Sequence, residues 1–118
     1  MELEQFDRIL SAACSRCSDV LSAKRSEYVT GEDVLINFKK ASTLLGNNYA
    51  TTLWGYCTKQ IISVSDMVKH PSSYNLKIWE EKLTDIHNYL FLLEALLIEN
   101  QTPTKLEKLD HAHPEFNT

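Results

Sequence analysis

Along most of this chain apolar residues return at steps of three and four, the spacing that gathers them on one side of an α-helix. The first stretch carries Leu3, Phe6, Ile9, Leu10, Ala13, Cys17, Val20 and Leu21 in that rhythm. The rhythm lapses over residues 24–29, and Thr30-Gly31-Glu32-Asp33 then supplies a capping hydroxyl with acids in the following turn. A second stretch ends at Gly46-Asn47-Asn48, residue types that tolerate a left-handed helix end. A third runs through Leu53, Cys57, Ile61, Val64 and Val68 toward Pro71, and the residue before a proline avoids the helical region. The fourth is the most apolar and has Glu80 and Glu81 in its first turns, where acids suit the helix dipole. The spacing predicts helices at about 3–24, 33–45, 50–69 and 76–98. The expected fold is all-α, a four-helix bundle over residues 1–99 with a disordered tail over 100–118, where Thr102-Pro103 and a charged run break the pattern.

A chain of 118 residues has room for one such core. Three glycines and three prolines are too few for a many-turned β-sandwich. The net charge is −4, and no basic run exceeds Lys39-Lys40, which disfavours direct binding of nucleic acid. A mononucleotide is a different case, because one local cation can hold a phosphate. No run of about 18 apolar residues offers a membrane span. The start, Met1-Glu2-Leu3-Glu4, lacks a basic region followed by an apolar one, so a cytoplasmic location is expected. Cys14 and Cys17 form a C-x-x-C inside a helical pattern and Cys57 stands alone. That odd number does not suit a disulfide framework, and the thiols are expected as small buried or half-buried residues.

The informative residues are polar ones on apolar stripes. With about 100° per residue, Leu92, Ile78 and Leu96 fall within about 20° of Asp85 on the fourth helix, and Tyr89 and Lys82 lie within about 60°. A buried carboxylate must be paired, bind a metal or protonate. An intrahelical Lys82–Asp85 pair would satisfy it; so would a polar pocket at one end of the bundle. On the second helix Asn37 shares the stripe of Val34, Ala41, Leu44 and Leu45, and a buried asparagine needs partners. On the third, Lys59, Ser63 and Asp66 share a face that reads as solvated. Yet Ile62 lies in the same arc and Tyr56 and Met67 border it, so a second subunit covering this helix is also expected, giving a homo-oligomer.

No nucleophile sits in a strand–turn–helix context, and Gly31, Gly46 and Gly55 are isolated, so no phosphate loop exists. Phosphate chemistry would have to come from carboxylates on facing helices with a metal. Three segments resemble a known group. Lys24-Arg25-Ser26-Glu27-Tyr28 followed by Asn37-Phe38, the run from Trp54 through Met67, and Trp79-Glu80-Glu81-Lys82-Leu83-Thr84-Asp85-Ile86-His87-Asn88-Tyr89-Leu90 resemble small phage proteins of the MazG-like group. The wider superfamily consists of all-α nucleoside triphosphate pyrophosphohydrolases.

The resemblance implies a four-helix scaffold that oligomerises and a nucleotide-like ligand. In its enzymes E-x-x-E on one helix faces E-x-x-D on another, and the paired acids hold Mg²⁺ through oxygen. Carried over, Asp66 and Asp85 are the candidate catalytic and metal-binding acids, with Glu81 as a further metal ligand. Lys59 and Lys82 would meet phosphates, Asn37, Asn88 and Tyr89 would shape the pocket, and Arg25 and Tyr28 would close it. The pattern departs where it matters most: Lys82 stands at the first acid of E-x-x-D, and Ser63-x-x-Asp66 at E-x-x-E. A lysine there repels Mg²⁺ and attracts a phosphate directly. Two readings follow, a metal-dependent nucleotide hydrolase of a phage-infected bacterial cytoplasm, and a non-catalytic binding module for a nucleotide signal or host protein on the same scaffold. A purely structural helical oligomer is the third.

Overall fold

A computed structural model describes the backbone of residues 1–28 and 33–101 and the side chains of 1–25 and 33–101. These residues form four α-helices and one short 3₁₀ turn: α1 (Leu3–Tyr28), α2 (Ile36–Leu45), α3 (Tyr49–Met67), the turn Pro71–Ser73, and α4 (Leu76–Gln101). The expected all-helical class holds. The second helix starts later than expected and the fourth runs further, through the first residues assigned to the tail. Residues 102–118, the rest of the expected tail, lie outside the described residues, as does the capping segment Thr30-Gly31-Glu32.

Local chemistry sets the helix ends. Gly46 takes a left-handed φ of 71° at the end of α2, and the Asn47 N–H donates to Ser42 O at 3.1 Å, closing that last turn. Asn48 caps α3 by accepting from the Thr51 N–H at 2.7 Å. Asn75 does the same for α4, accepting from Ile78 N–H at 2.9 Å, a cap hidden in what the sequence presents as a turn. Ahead of α2, Asp33 accepts from the Leu35 N–H at 2.9 Å.

The core gathers Leu35, at the cap of α2, with Leu53 of α3 and Leu96 of α4, ringed by Phe38, Ala50, Tyr89, Leu92 and Leu93. Leu53 is early in α3 and Leu96 late in α4, as an antiparallel pair with a short connection requires. Cys17, Cys57 and Met67 are also buried, while Cys14 is exposed and all three cysteines are free.

Three stripes differ from expectation. On α1, Leu3, Phe6, Ile9 and Leu10 are exposed, and contact begins only toward Ala13 and Cys17. Along α2 and the two residues before it the inward line is Leu35, Phe38 and Ser42, leaving Val34, Leu44 and Leu45 outside. On α3 Leu53 and Cys57 go inward as expected, but Met67 replaces Val68, and Ile61 lies outside. On α1 the exposed residues share the stripe of Cys17 but precede the part of the helix that meets its neighbours. On α2 and α3 the apolar arc is wider than one neighbour can cover, so periodicity permits several lines, and the neighbour selects one. Ser42 can join the buried line because its hydroxyl donates to Phe38 O at 2.7 Å.

Lys39 ties the upper end of the bundle together. Its Nζ lies 2.7 Å from Asp33 before α2 and 2.7 Å from Glu99 near the end of α4. Burial works against its charge, but hydrogen bonds from the two carboxylates, and their charges, outweigh it and raise the lysine pKa. Replacing Lys39 by methionine should lower stability by about 1–2 kcal/mol, because two half-buried carboxylates lose a shared charge-assisted partner. The lysine's contribution is complete below about pH 10 and fades as pH climbs through the raised pKa, so denaturant melts of the two proteins should converge only in strong alkali. Equal midpoints at neutral pH would show the triad to be dispensable.

Candidate functional site

The end of α1 converges with the start of α2 and the middle of α4 on a cleft of about 330 Å³. Its wall from α1 is Leu21, Lys24 and Arg25; from the α2 region, Val34, Asn37 and Phe38; from α4, Asp85, Asn88, Tyr89 and Leu92. The spacing on α4 explains that wall. Positions 85, 88, 89 and 92 are one and two turns apart, so they stand on one side of the helix.

The cleft has two cations at one edge and an aromatic group at another. Lys24 Nζ lies 3.4 Å from Asp85 Oδ1, a half-exposed pair that spans α1 and α4. Arg25 is exposed beside it. Phe38 meets Tyr89 edge-on at 6.4 Å between ring centroids, and Tyr89 stacks on Tyr56 at 6.2 Å with an 8° interplanar angle. Burial is the main cause that raises the Tyr89 pKa; Lys24 opposes it, while Asp85, Tyr56 and Cys57 add to it, so the phenol stays neutral and able to donate.

Asn88 is the unusual member. Ser42, Thr52, Thr84 and Asn88 are buried polar side chains. The first two hydroxyls donate to backbone carbonyls of the preceding turn, and Thr84 accepts from the Arg16 guanidinium at 3.1 Å. Asn88 is 6% exposed, and among the described residues neither its amide oxygen nor its amide nitrogen has a hydrogen-bond partner. A buried amide with both ends unmatched costs about 1–3 kcal/mol. Such a cost at the wall of a cleft marks a place where a ligand can be matched by one donor and one acceptor.

Five of the residues singled out from sequence therefore line one cleft: Arg25, Asn37, Asp85, Asn88 and Tyr89. Asn37 is exposed at its rim rather than buried in a stripe. Four others do not line it. Lys59 and Glu81 are exposed, Lys82 is half-buried elsewhere on α4, and the Asp66 carboxylate is 73% exposed, 3.9 Å from Lys69 on the same helix. The Tyr28 side chain lies outside the described residues. Asp85 takes Lys24 of α1 as its partner, in place of the Lys82 pairing that helix geometry allows. Lys24 is the cleft residue that the sequence pattern did not single out. Its signal was its position: one turn after Leu21, at the edge of the α1 stripe and next to Arg25.

The expected Mg²⁺ ligands Asp66, Glu81 and Asp85 do not converge, and among the described residues no group of three or more histidine, cysteine or acidic side chains could hold a metal ion. Among the described residues no helix is long and apolar enough to cross a membrane. No protein-family model, curated protein or solved structure matches this chain.

If the Asn88 amide is held for a ligand and not for the fold, Asn88→Leu should raise stability, by about 1 kcal/mol, since it removes an unmatched amide at similar volume. Chemical denaturation measures this directly, and a loss of stability would show that Asn88 is structurally needed.

Proposed function

We propose that this chain is a binding module whose cleft takes a mononucleotide or a close relative, without a metal-dependent hydrolytic step. The observation that carries the reading is the nine-tenths-buried Asn88 amide, unmatched among the described residues, in a cleft that also carries Phe38, Tyr89 and two cations. An amide presents one acceptor and two donors, the pattern that pairs with the edge of a nucleobase. Phe38 and Tyr89 supply aromatic surface for a ring, and Lys24 and Arg25 suit a phosphate. The volume is at the small end of ligand clefts, which favours a mononucleotide over a larger cofactor. The three segments that resemble the MazG-like group point the same way, and with them toward a phage-encoded protein of the bacterial cytoplasm.

The single carboxylate at the cleft among the described residues is Asp85, and it is engaged with Lys24. It is therefore read as the group that positions Lys24 rather than as a metal ligand. This separates binding from hydrolysis experimentally. A nucleotide should raise the melting temperature in the presence of EDTA, following its free concentration relative to Kd. Arg25→Ala should weaken a nucleotide about tenfold and a nucleoside much less, because about 1.4 kcal/mol of phosphate contact is lost. Asp85→Asn should keep or tighten binding, since it removes a negative charge from the phosphate's neighbourhood. Calorimetric titration of the three proteins reads all of this. Pyrophosphate release that needs Mg²⁺ and disappears in Asp85→Asn would replace this reading with the hydrolase, and silence across a nucleotide panel would remove both.

A further inference from the structure

Two kinds of seam hold the described helices together. Where α3, α4 and the cap of α2 meet, the seam is apolar and built on Leu35, Leu53 and Leu96. Between α1 and α4 it is largely polar. The Arg16 guanidinium donates to the Thr84 hydroxyl at 3.1 Å and stands 3.8 Å from the Glu80 carboxylate, and Lys24 stands 3.4 Å from Asp85. Of the described α1 side chains Cys17 alone is buried, while Ala13, Val20 and Leu21 are half-buried. Among the described residues the apolar cluster takes none from α1. Half-exposed ion pairs contribute little and are screened by salt, whereas an apolar core is not. The last turns of α1 also border the cleft, so Leu21, Lys24 and Arg25 face about 330 Å³ of open space where a packed helix would have neighbours.

Asn88 adds a force that favours parting. It follows Thr84 by one turn of α4 and so lies on the side that Arg16 of α1 reaches. With α1 docked, nothing among the described residues matches either end of its amide. When α1 leaves α4, water reaches the amide and that cost disappears. A ligand that pairs with the amide removes the same cost with α1 in place. We propose that α1 is a clamp on the cleft. In the free chain it parts from α4 as a unit while α2, α3 and α4 stay folded together. A bound nucleotide holds it down, meeting Asn88 on α4 and Lys24 and Arg25 on α1. The ligand class rests on the nucleotide reading above; the weak seam does not. Ligand binding and helix docking are then one linked equilibrium, because the site is complete only in the docked state.

Two cysteines report on this clamp. Cys17 is 4% exposed at the α1 seam, and Cys57, one turn after Leu53 on α3, is 1% exposed. Parting of α1 bares the first, and only unfolding of the core bares the second. The test uses the full chain carrying Cys14→Ser, which leaves these two thiols. They are labelled with N-ethylmaleimide, followed by peptide mass spectrometry, and each rate is taken relative to the denatured chain. Cys17 should react about tenfold faster than Cys57 or more, as expected of a local opening, and salt at about 0.5 M should speed Cys17 alone. Arg16→Gln, outside the cleft, should speed Cys17 several-fold. Asn88→Leu should slow it about fivefold, the rate equivalent of the stability gain given above. A mononucleotide at about ten times its Kd should slow it about tenfold at constant ionic strength. Equal protection of Cys17 and Cys57 overturns the clamp. So does a Cys17 rate that Arg16→Gln leaves unmoved, or one that Asn88→Leu fails to slow while Cys57 stays protected. A nucleotide that binds in calorimetry yet leaves Cys17 unchanged also overturns it, and keeps the nucleotide reading. A panel that neither binds nor protects, with the salt and variant responses as expected, removes the nucleotide reading and supports the clamp.

Discussion

Water is excluded where Leu35, Leu53 and Leu96 meet, and the other contacts of the described chain are arranged around that junction. It fixes α3 against α4 in antiparallel register and holds the start of α2 across them. Removing apolar surface from water is non-directional, so on its own it would permit many rotations of these helices. The directional groups narrow the choice: the Asn48 and Asn75 caps set where α3 and α4 begin, and Lys39 joins the approach to α2 to the end of α4. Once α2 and α4 are set, Phe38 and Tyr89 must meet, and the cleft beside them takes its aromatic wall.

The cleft breaks the economy of the rest of the interior. Elsewhere a buried hydroxyl finds a carbonyl or a guanidinium, whereas among the described residues nothing matches either end of the Asn88 amide. Local departures from good packing chemistry collect where a protein does something other than fold. The cations tell the same story by their location. Lys24 and Arg25 come from the last turns of α1, close to where its helix dipole ends, and Asp85 reaches Lys24 from α4. The anion-attracting edge therefore exists only when α1 is docked on α4.

Much of the apolar content stays outside the single chain's core. A helix that is apolar on one arc buries that arc and is finished, but α4 is apolar on two. One arc serves the core and the cleft; the other, the row of Leu76, Leu83, Leu90 and Leu97, is continued on α3 by Trp54, Ile61 and Val68.

Helical class and the approximate positions of four helices were legible from residue spacing, because the three- and four-residue rhythm of apolar side chains follows from helix geometry whatever the neighbours are. So was the candidacy of Asn37 and Asp85, since a polar residue on an apolar stripe must find a partner, reach water or serve a ligand; Arg25, Asn88 and the pocket role of Tyr89 came from the resemblance to the MazG-like segments. Which apolar line of each helix goes inward was not legible. Val34 or Leu35, Val68 or Met67 satisfy the same period, and only the neighbouring helix distinguishes them. The partner of Asp85 was likewise beyond local reading: Lys82 is one turn away in sequence, but Lys24, 61 positions distant, is the one that docking brings within 3.4 Å. Periodicity is a property of one helix and is written in the sequence. Pairing is a property of two, and the tertiary structure alone decided that Lys24 would stand at the cleft while Asp66 would stand in water.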